Sequence, residues 1–188
     1  MTRLKNCKSD LLPKMLVLIA VMSCVTTVTA DPVLATWEAQ QVRFRYLGIN
    51  TVYACDGIQS KIKALLLAIG ARDDVRIEAK CLVASSDLQR NIKVLLAFAV
   101  PVVADSAGLA DETFLAEWRE VRVTARTSRE LDVGDCELVE QLKKKVLPRL
   151  GISTSNSKLH CSPSRISFTM KVKALMPIAK EEIISIQD

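Results

Sequence analysis

Side chains that could carry catalysis are few in this chain. It has one histidine, His160, so a serine or cysteine nucleophile that needs an imidazole base would have to use this residue. Cys161 follows directly, and it is one of the four cysteines, of six in the chain, that lie beyond residue 30; this even set predicts two disulfides in an exported chain. We therefore expect His160 to lie near a strand end, without a catalytic role.

Metal and cofactor sites are not predicted either. No two cysteines have the C-x-x-C spacing of zinc sites and thioredoxin-type enzymes, and one histidine cannot complete an ordinary Cys/His zinc site. No G-x-G-x-x-G or P-loop sequence occurs. The sequence predicts neither a metal nor a cofactor.

Carboxylates leave one catalytic alternative open, a small periplasmic hydrolase that uses a pair of acids. The acids near predicted loops and helix starts are Asp56, Asp73, Asp74, Asp135, Glu137 and Glu140. Acids at helix starts suit the helix dipole and cap free N–H groups, which explains Asp56 and Asp135 without catalysis. We therefore favour a protein that is not an enzyme.

Residues 1–30 have the pattern of a secretory signal peptide. Four cations precede an apolar run over 15–22, and small residues end at Ala30, after which we expect cleavage. The run is shorter than the roughly 20 apolar residues of a membrane span. An uncleaved anchor and a lipoprotein modified at Cys24 are the alternatives. We expect a periplasmic or extracellular protein.

The remainder, residues 31–188, is expected to be one domain. Without the four cations and one acid of the signal, the net charge falls from +5 to about +2, so no nucleic-acid partner is predicted. A duplicated unit is indicated by residues that recur at an offset of 80 or 81. The recurring residues are Trp37, Cys55, Gly70 and Cys81 in one unit, and Trp118, Cys136, Gly151 and Cys161 in the other.

The repeat predicts both the disulfides and the fold. The units span about 37–101 and 118–177, and each should close its own link, giving Cys55–Cys81 and Cys136–Cys161. Alternating apolar residues predict strands near 41–46, 121–126 and 165–176, and apolar stripes predict helices near 58–69 and 138–150. We expect an α+β two-layer sandwich, with a mostly antiparallel sheet and two helices on one face. A pair of open sub-domains is the alternative.

Two segments also resemble an uncharacterised family of small secreted proteobacterial proteins. They are YACDGIQSKIKALLLAIGAR, residues 53–72, and LDVGDCELVEQ, residues 131–141. The resemblance implies a bacterial, periplasmic setting. It implies no activity and no catalytic or ligand residue.

The outward side of the strands is the one place where the sequence indicates binding. Residues that alternate with the apolar positions are basic, and they are Arg43, Arg45, Arg122, Arg126, Lys171 and Lys173. Such a face can attract phosphate or carboxylate groups of lipid, polysaccharide or an acidic protein. The alternatives are a solvated face that keeps the strands soluble, or an inhibitor or binder of a periplasmic enzyme. The run Lys143–Lys145 is expected to be a solvated helix face.

Overall fold

The structure, a computed structural model, describes residues 31–81, 88–104 and 112–178. The predicted signal peptide, with Ala30 and Cys24, lies outside the described residues. Within them the chain forms six strands and two α-helices. In chain order these are β1 (Val33–Leu47), α1 (Cys55–Ala68), β2 (Arg76–Lys80), β3 (Asn91–Val103), β4 (Thr113–Thr124), α2 (Cys136–Lys145), β5 (Ser153–Ser162) and β6 (Arg165–Pro177).

All six strands belong to one antiparallel sheet in the order β2-β3-β1-β4-β6-β5. Each half of the chain contributes a strand, a helix and two further strands, and its last strand lies between the other two. The fold class is therefore confirmed: an α+β sandwich built from a strand-helix-strand-strand unit that occurs twice. No helix in the described ranges is both long and apolar enough to cross a membrane.

One hydrophobic core joins the two halves. The apolar stripe of α1 and that of α2 pack on residues of β1, β3, β4 and β6 that alternate inward. Ile58 and Ile62 of α1 and Leu138 of α2 are fully buried, as are Tyr46 of β1 and Val172 of β6. The helices therefore cover one side of the sheet, which we call the inner side, and the opposite, outer side faces away from them.

The sheet bends strongly where the two halves meet. β1 and β4 pair over four residues only, Val33–Thr36 with Thr113–Ala116. The rest of β1 and the rest of β4 extend away from this pairing toward opposite ends of the sheet. In a flat sheet, the segment that follows β1 would lie far from the end of β5. However, Asn50 donates from Nδ2 to the carbonyl oxygen of Cys161, at the end of β5, over 3.2 Å. The sheet therefore curves around both helices.

A glycine in the left-handed region follows each helix: Gly70 comes two residues after α1, and Gly151 ends the 3₁₀ turn that follows α2. Gly70 has φ +93° and Gly151 has φ +65°. A Cβ on Gly70 would also lie 3.0 Å from the carbonyl oxygen of Leu175, so this position has both a conformational and a steric need for glycine. Pro148 lies in a 3₁₀ turn, Leu147–Leu150, and α2 ends before it at Lys145.

The predicted caps at the helix starts are wrong in detail. α1 begins at Cys55 without a side-chain cap, and Asp56 accepts only from the N–H of Gly57. Asp135 precedes α2 but does not cap it with its side chain. Its carboxylate instead accepts from the backbone N–H of Asp132, in the capping box of the preceding 3₁₀ turn, and from the side chains of Tyr53 and Lys61 in the first half.

The two predicted disulfides are confirmed. Cys55–Cys81 joins the start of α1 to the residue after β2, with a Cα–Cα distance of 6.2 Å. Cys136–Cys161 joins the start of α2 to β5, with a Cα–Cα distance of 5.3 Å. Each link closes a loop of similar size, 26 and 25 residues apart in sequence. Each half therefore has its own covalent tie between helix and sheet.

Candidate anion-binding site

The structure places five of the six predicted cations on the outer side of the sheet. Arg43 and Arg45 are exposed on β1 and alternate with the buried Val42 and Phe44. Arg122 of β4 and the two lysines of β6 lie on this same side, because directly paired residues of an antiparallel sheet face one way. The sixth, Arg126, lies in the turn after β4.

These cations form two groups rather than one. Arg43 lies ten residues along β1 from Val33, whereas Arg122 lies six residues along β4 from Ala116, the pairing partner of Val33, in the opposite direction. The bend at the junction turns the outer sides of the two halves in different directions. The first group contains Arg43 and Arg45, and the second contains Arg122, Lys171 and Lys173.

A row of three cations crosses the first half. Arg45 pairs with Lys93 of β3, and Lys93 pairs with Lys80 of β2, so the three side chains project from directly adjacent positions. Neighbouring strands are about 4.8 Å apart. None of the three forms an ion pair with a described residue. Like charges directly opposite each other destabilise a sheet, so this row has no evident structural benefit.

The next row completes an open cavity of about 490 Å³. In that row Arg43 pairs with Leu95, and Leu95 pairs with Glu78. The cavity is lined by these three residues and by the cationic row, together with Phe44 and Val94. A second, smaller cavity of about 140 Å³ adjoins the other side of the row and reaches Cys81 and Asn91. Among the described residues, four cations and one acid line the larger cavity. We call it the cationic cavity.

The second group differs because both of its lysines have partners within the protein. Lys171 donates from Nζ to Glu120 over 2.8 Å, and this hydrogen bond lowers the pKa of the Glu120 carboxyl. Lys173 lies over the ring of Trp118, 5.5 Å from its centroid. Of the two groups, the cationic cavity is thus the better candidate for binding an external anion.

Sequence reasoning missed Lys80 and Lys93. The segment around Lys93 is apolar on both sides of the strand except at this one position, so the alternation does not single it out. Lys80 ends a strand of five residues next to Cys81. Only the pairing register, which brings both beside Arg45, identifies them as part of one site.

The second half holds the cationic cavity in shape through α2. Its side chains donate to backbone carbonyls of β1: Lys145 to Arg45 over 2.6 Å, and Arg149 from the following turn to Arg43 over 3.1 Å. Gln141 pairs with both the N–H and the C=O of Leu47. Lys145 is therefore not on a solvated face as expected; burial lowers the pKa of its ammonium.

The acids considered for a hydrolase lie outside the cationic cavity. Asp135, 1% exposed, accepts from the Tyr53 hydroxyl over 2.7 Å and from Lys61 Nζ over 2.8 Å. Burial and this hydrogen bond raise the pKa of Tyr53. Burial alone would lower the pKa of Lys61, but the hydrogen bonds and charges of Asp135 and Asp132 outweigh it and raise that pKa. These bonds tie α1 to the loop before α2.

Glu137 makes a second buried connection between the halves. Its carboxylate accepts from the backbone N–H groups of Ile49, Asn50 and Thr51 at 3.0 to 3.1 Å, and from the side-chain amide of Asn50. Every strong acceptor position of this carboxylate is thus used within the protein. Asp74 pairs with Arg72, and Glu140 pairs with Lys144, both at the surface.

His160 lies on β5, exposed, opposite Ser167 of β6. The described part of the chain has no cluster of three or more histidine, cysteine or acidic side chains that could hold a metal ion. Comparisons with protein-family models, with curated proteins and with solved structures found no significant match. The case for function therefore depends on the geometry of this chain alone.

Proposed function

We propose that this protein is an exported, non-catalytic binding module, stapled by two disulfides, that holds anionic groups of the cell envelope in the cationic cavity. The observation that carries the proposal is the row Arg45–Lys93–Lys80, three adjacent cations that form no ion pair with any residue the structure describes. An external anion would remove the repulsion among them and accept several charge-assisted hydrogen bonds at once.

The surroundings of the row support binding rather than simple solubility. A cation that only keeps a strand soluble needs no second cation opposite it, and among the described residues Glu78 is the one acid that lines the cavity. The backbone of β1 is fixed by α2 at the carbonyls of Arg43 and Arg45, so the site is held before a ligand arrives. Preorganised sites lose less entropy on binding.

The test is binding of inorganic tripolyphosphate to the mature, oxidised protein by calorimetry at low and high salt. The Arg45→Gln/Lys93→Gln variant should bind at least about tenfold more weakly, because each lost charged hydrogen bond costs about 1.5–3 kcal/mol. The same variant should be equally stable or slightly more stable, since it removes the cross-strand repulsion. Wild-type affinity should fall as salt rises.

A matched control removes two cations elsewhere. Lys63 and Arg129 are exposed and line neither the cationic cavity nor its smaller neighbour. Lys63→Gln/Arg129→Gln changes the net charge equally and should leave binding unchanged. If both variants lose affinity to the same extent, binding depends on net charge and not on the cavity. Wild-type protein that shows no salt-sensitive binding would contradict the proposal altogether.

A further inference from the structure

Glu78 lines the cationic cavity and is not neutralised there. It forms no ion pair with any residue that the structure describes, although Lys80 follows two positions later on the same side of β2. Leu95 of β3 pairs directly with Glu78 and separates it from Arg43. One cavity therefore presents a positive row and, directly beside it, a carboxylate that has no ion pair among the described residues.

This arrangement matches a ligand that carries both charges. We propose that the ligand is a phosphate ester with a primary ammonium group, its phosphate on the row Arg45–Lys93–Lys80 and its ammonium on Glu78. The inference rests on the proposed function, because it assigns the chemistry of the same cavity. Leu95 adjoins Glu78 across the strand pair and Lys93 along β3, so the methylene groups that join phosphate and amine would contact its side chain.

The geometry favours this chemistry over a simple polyanion. A purely anionic ligand would gain from a fourth cation or a neutral residue at position 78, and the carboxylate there repels it. An ammonium instead forms a charged pair with the carboxylate while its phosphate is held by the row. The shared chemistry, phosphoethanolamine, occurs in phospholipid headgroups and in free or sugar-linked phosphate esters.

The test compares phosphoethanolamine with glycerol 3-phosphate, which has the same phosphate and no amine. Wild-type protein should bind phosphoethanolamine about fivefold more tightly, the size expected for one exposed charge pair. Glu78→Gln should abolish this preference while glycerol 3-phosphate binds as well as before or better. Glu38→Gln is the matched control, because Glu38 is exposed on the other side of β1, and it should keep the preference.

The outcomes separate this inference from the proposed function. Equal affinity for the two esters, or a preference that survives in Glu78→Gln, overturns the inference while tripolyphosphate binding keeps the cavity as an anion site. Failure to bind any of the three probes overturns both. Vesicles that contain phosphatidylethanolamine distinguish the sources. Capture by vesicles that soluble phosphoethanolamine reverses supports a lipid headgroup, and ester binding without vesicle capture supports a free ester.

Discussion

Tyr46 and Tyr53 are the only tyrosines of the chain, and both lie at the contact between the halves. Their rings meet edge to face, with centroids 5.2 Å apart. The Tyr46 hydroxyl donates to the carbonyl oxygen of Thr51 and the Tyr53 hydroxyl donates to Asp135. Burial, followed by the neighbouring carboxylates, raises the pKa of both phenols far above the ordinary value of 10.0. The folded protein therefore needs both in the neutral form.

A loss of stability at alkaline pH follows from this. The folded state binds the phenolic protons more tightly than the unfolded state, so the stabilisation is complete below pH 10.0 and falls as the pH rises above it. Urea unfolding across this range should show the decline, and tyrosinate absorbance should appear only as the protein unfolds. Tyr53→Phe should cost about 1.5–3 kcal/mol at neutral pH and give a shallower alkaline decline. Tyrosinate signal from folded protein near pH 10.0 would contradict the prediction.

At the scale of elements, the cationic cavity depends on how the short strand β2 is anchored. β2 has five residues and lies at the edge of the sheet, so it pairs on one side only, with β3. Cys81 follows Lys80 directly and ties this end of β2 to the start of α1. The first disulfide thereby fixes one of the three cations of the row. The second disulfide has no such neighbour, since Cys161 lies in the other half.

The two disulfides should therefore differ in their effect on binding. Cys55→Ser/Cys81→Ser and Cys136→Ser/Cys161→Ser should each cost about 2–5 kcal/mol of stability, because their loops have similar lengths. Only the first pair should weaken tripolyphosphate binding, measured under conditions where both variants are folded. Equal affinities in the two variants would show that the link does not position Lys80.

Elements were predictable where one side of a strand or helix is buried throughout. The alternation in β1 is visible from 41 to 46, but the strand begins at Val33. Over its first residues the outer side is also covered: Ala35 is fully buried in a small second cluster with Ala116 and Leu175. The alternation of apolar and polar residues disappears where both sides of a strand are buried. The pairing of β1 with β4 could therefore not be predicted. Lys93 was missed for a different reason, because the residues that follow it on both sides of β3 are apolar and hide the alternation.

At the scale of the whole molecule, each half completes the other. The loop after β1 is bound by Glu137 of α2, and the loop before α2 is bound by Lys61 of α1. Residues of both helices and of strands from both halves belong to one core. A repeat in the sequence predicts the internal order of each unit, but it contains no information about contacts between units. The contacts between the loops of the two halves could therefore not be predicted, although the sequence singles out two of their acids, Asp135 and Glu137.

Removing Glu137 should therefore destabilise the protein as one unit. In Glu137→Ala the three N–H groups of Ile49, Asn50 and Thr51 lose their acceptor in a partly buried site, which should cost about 2–4 kcal/mol. Glu140→Ala, one turn along α2, removes an exposed carboxylate paired only with Lys144 and should cost under about 0.5 kcal/mol.

Urea unfolding, followed by the absorbance of the tyrosines in the first half and by amide exchange in the second, should give coincident transitions for Glu137→Ala. If the first half unfolds at lower urea than the second, the halves are separate folding units and the shared core does not couple them.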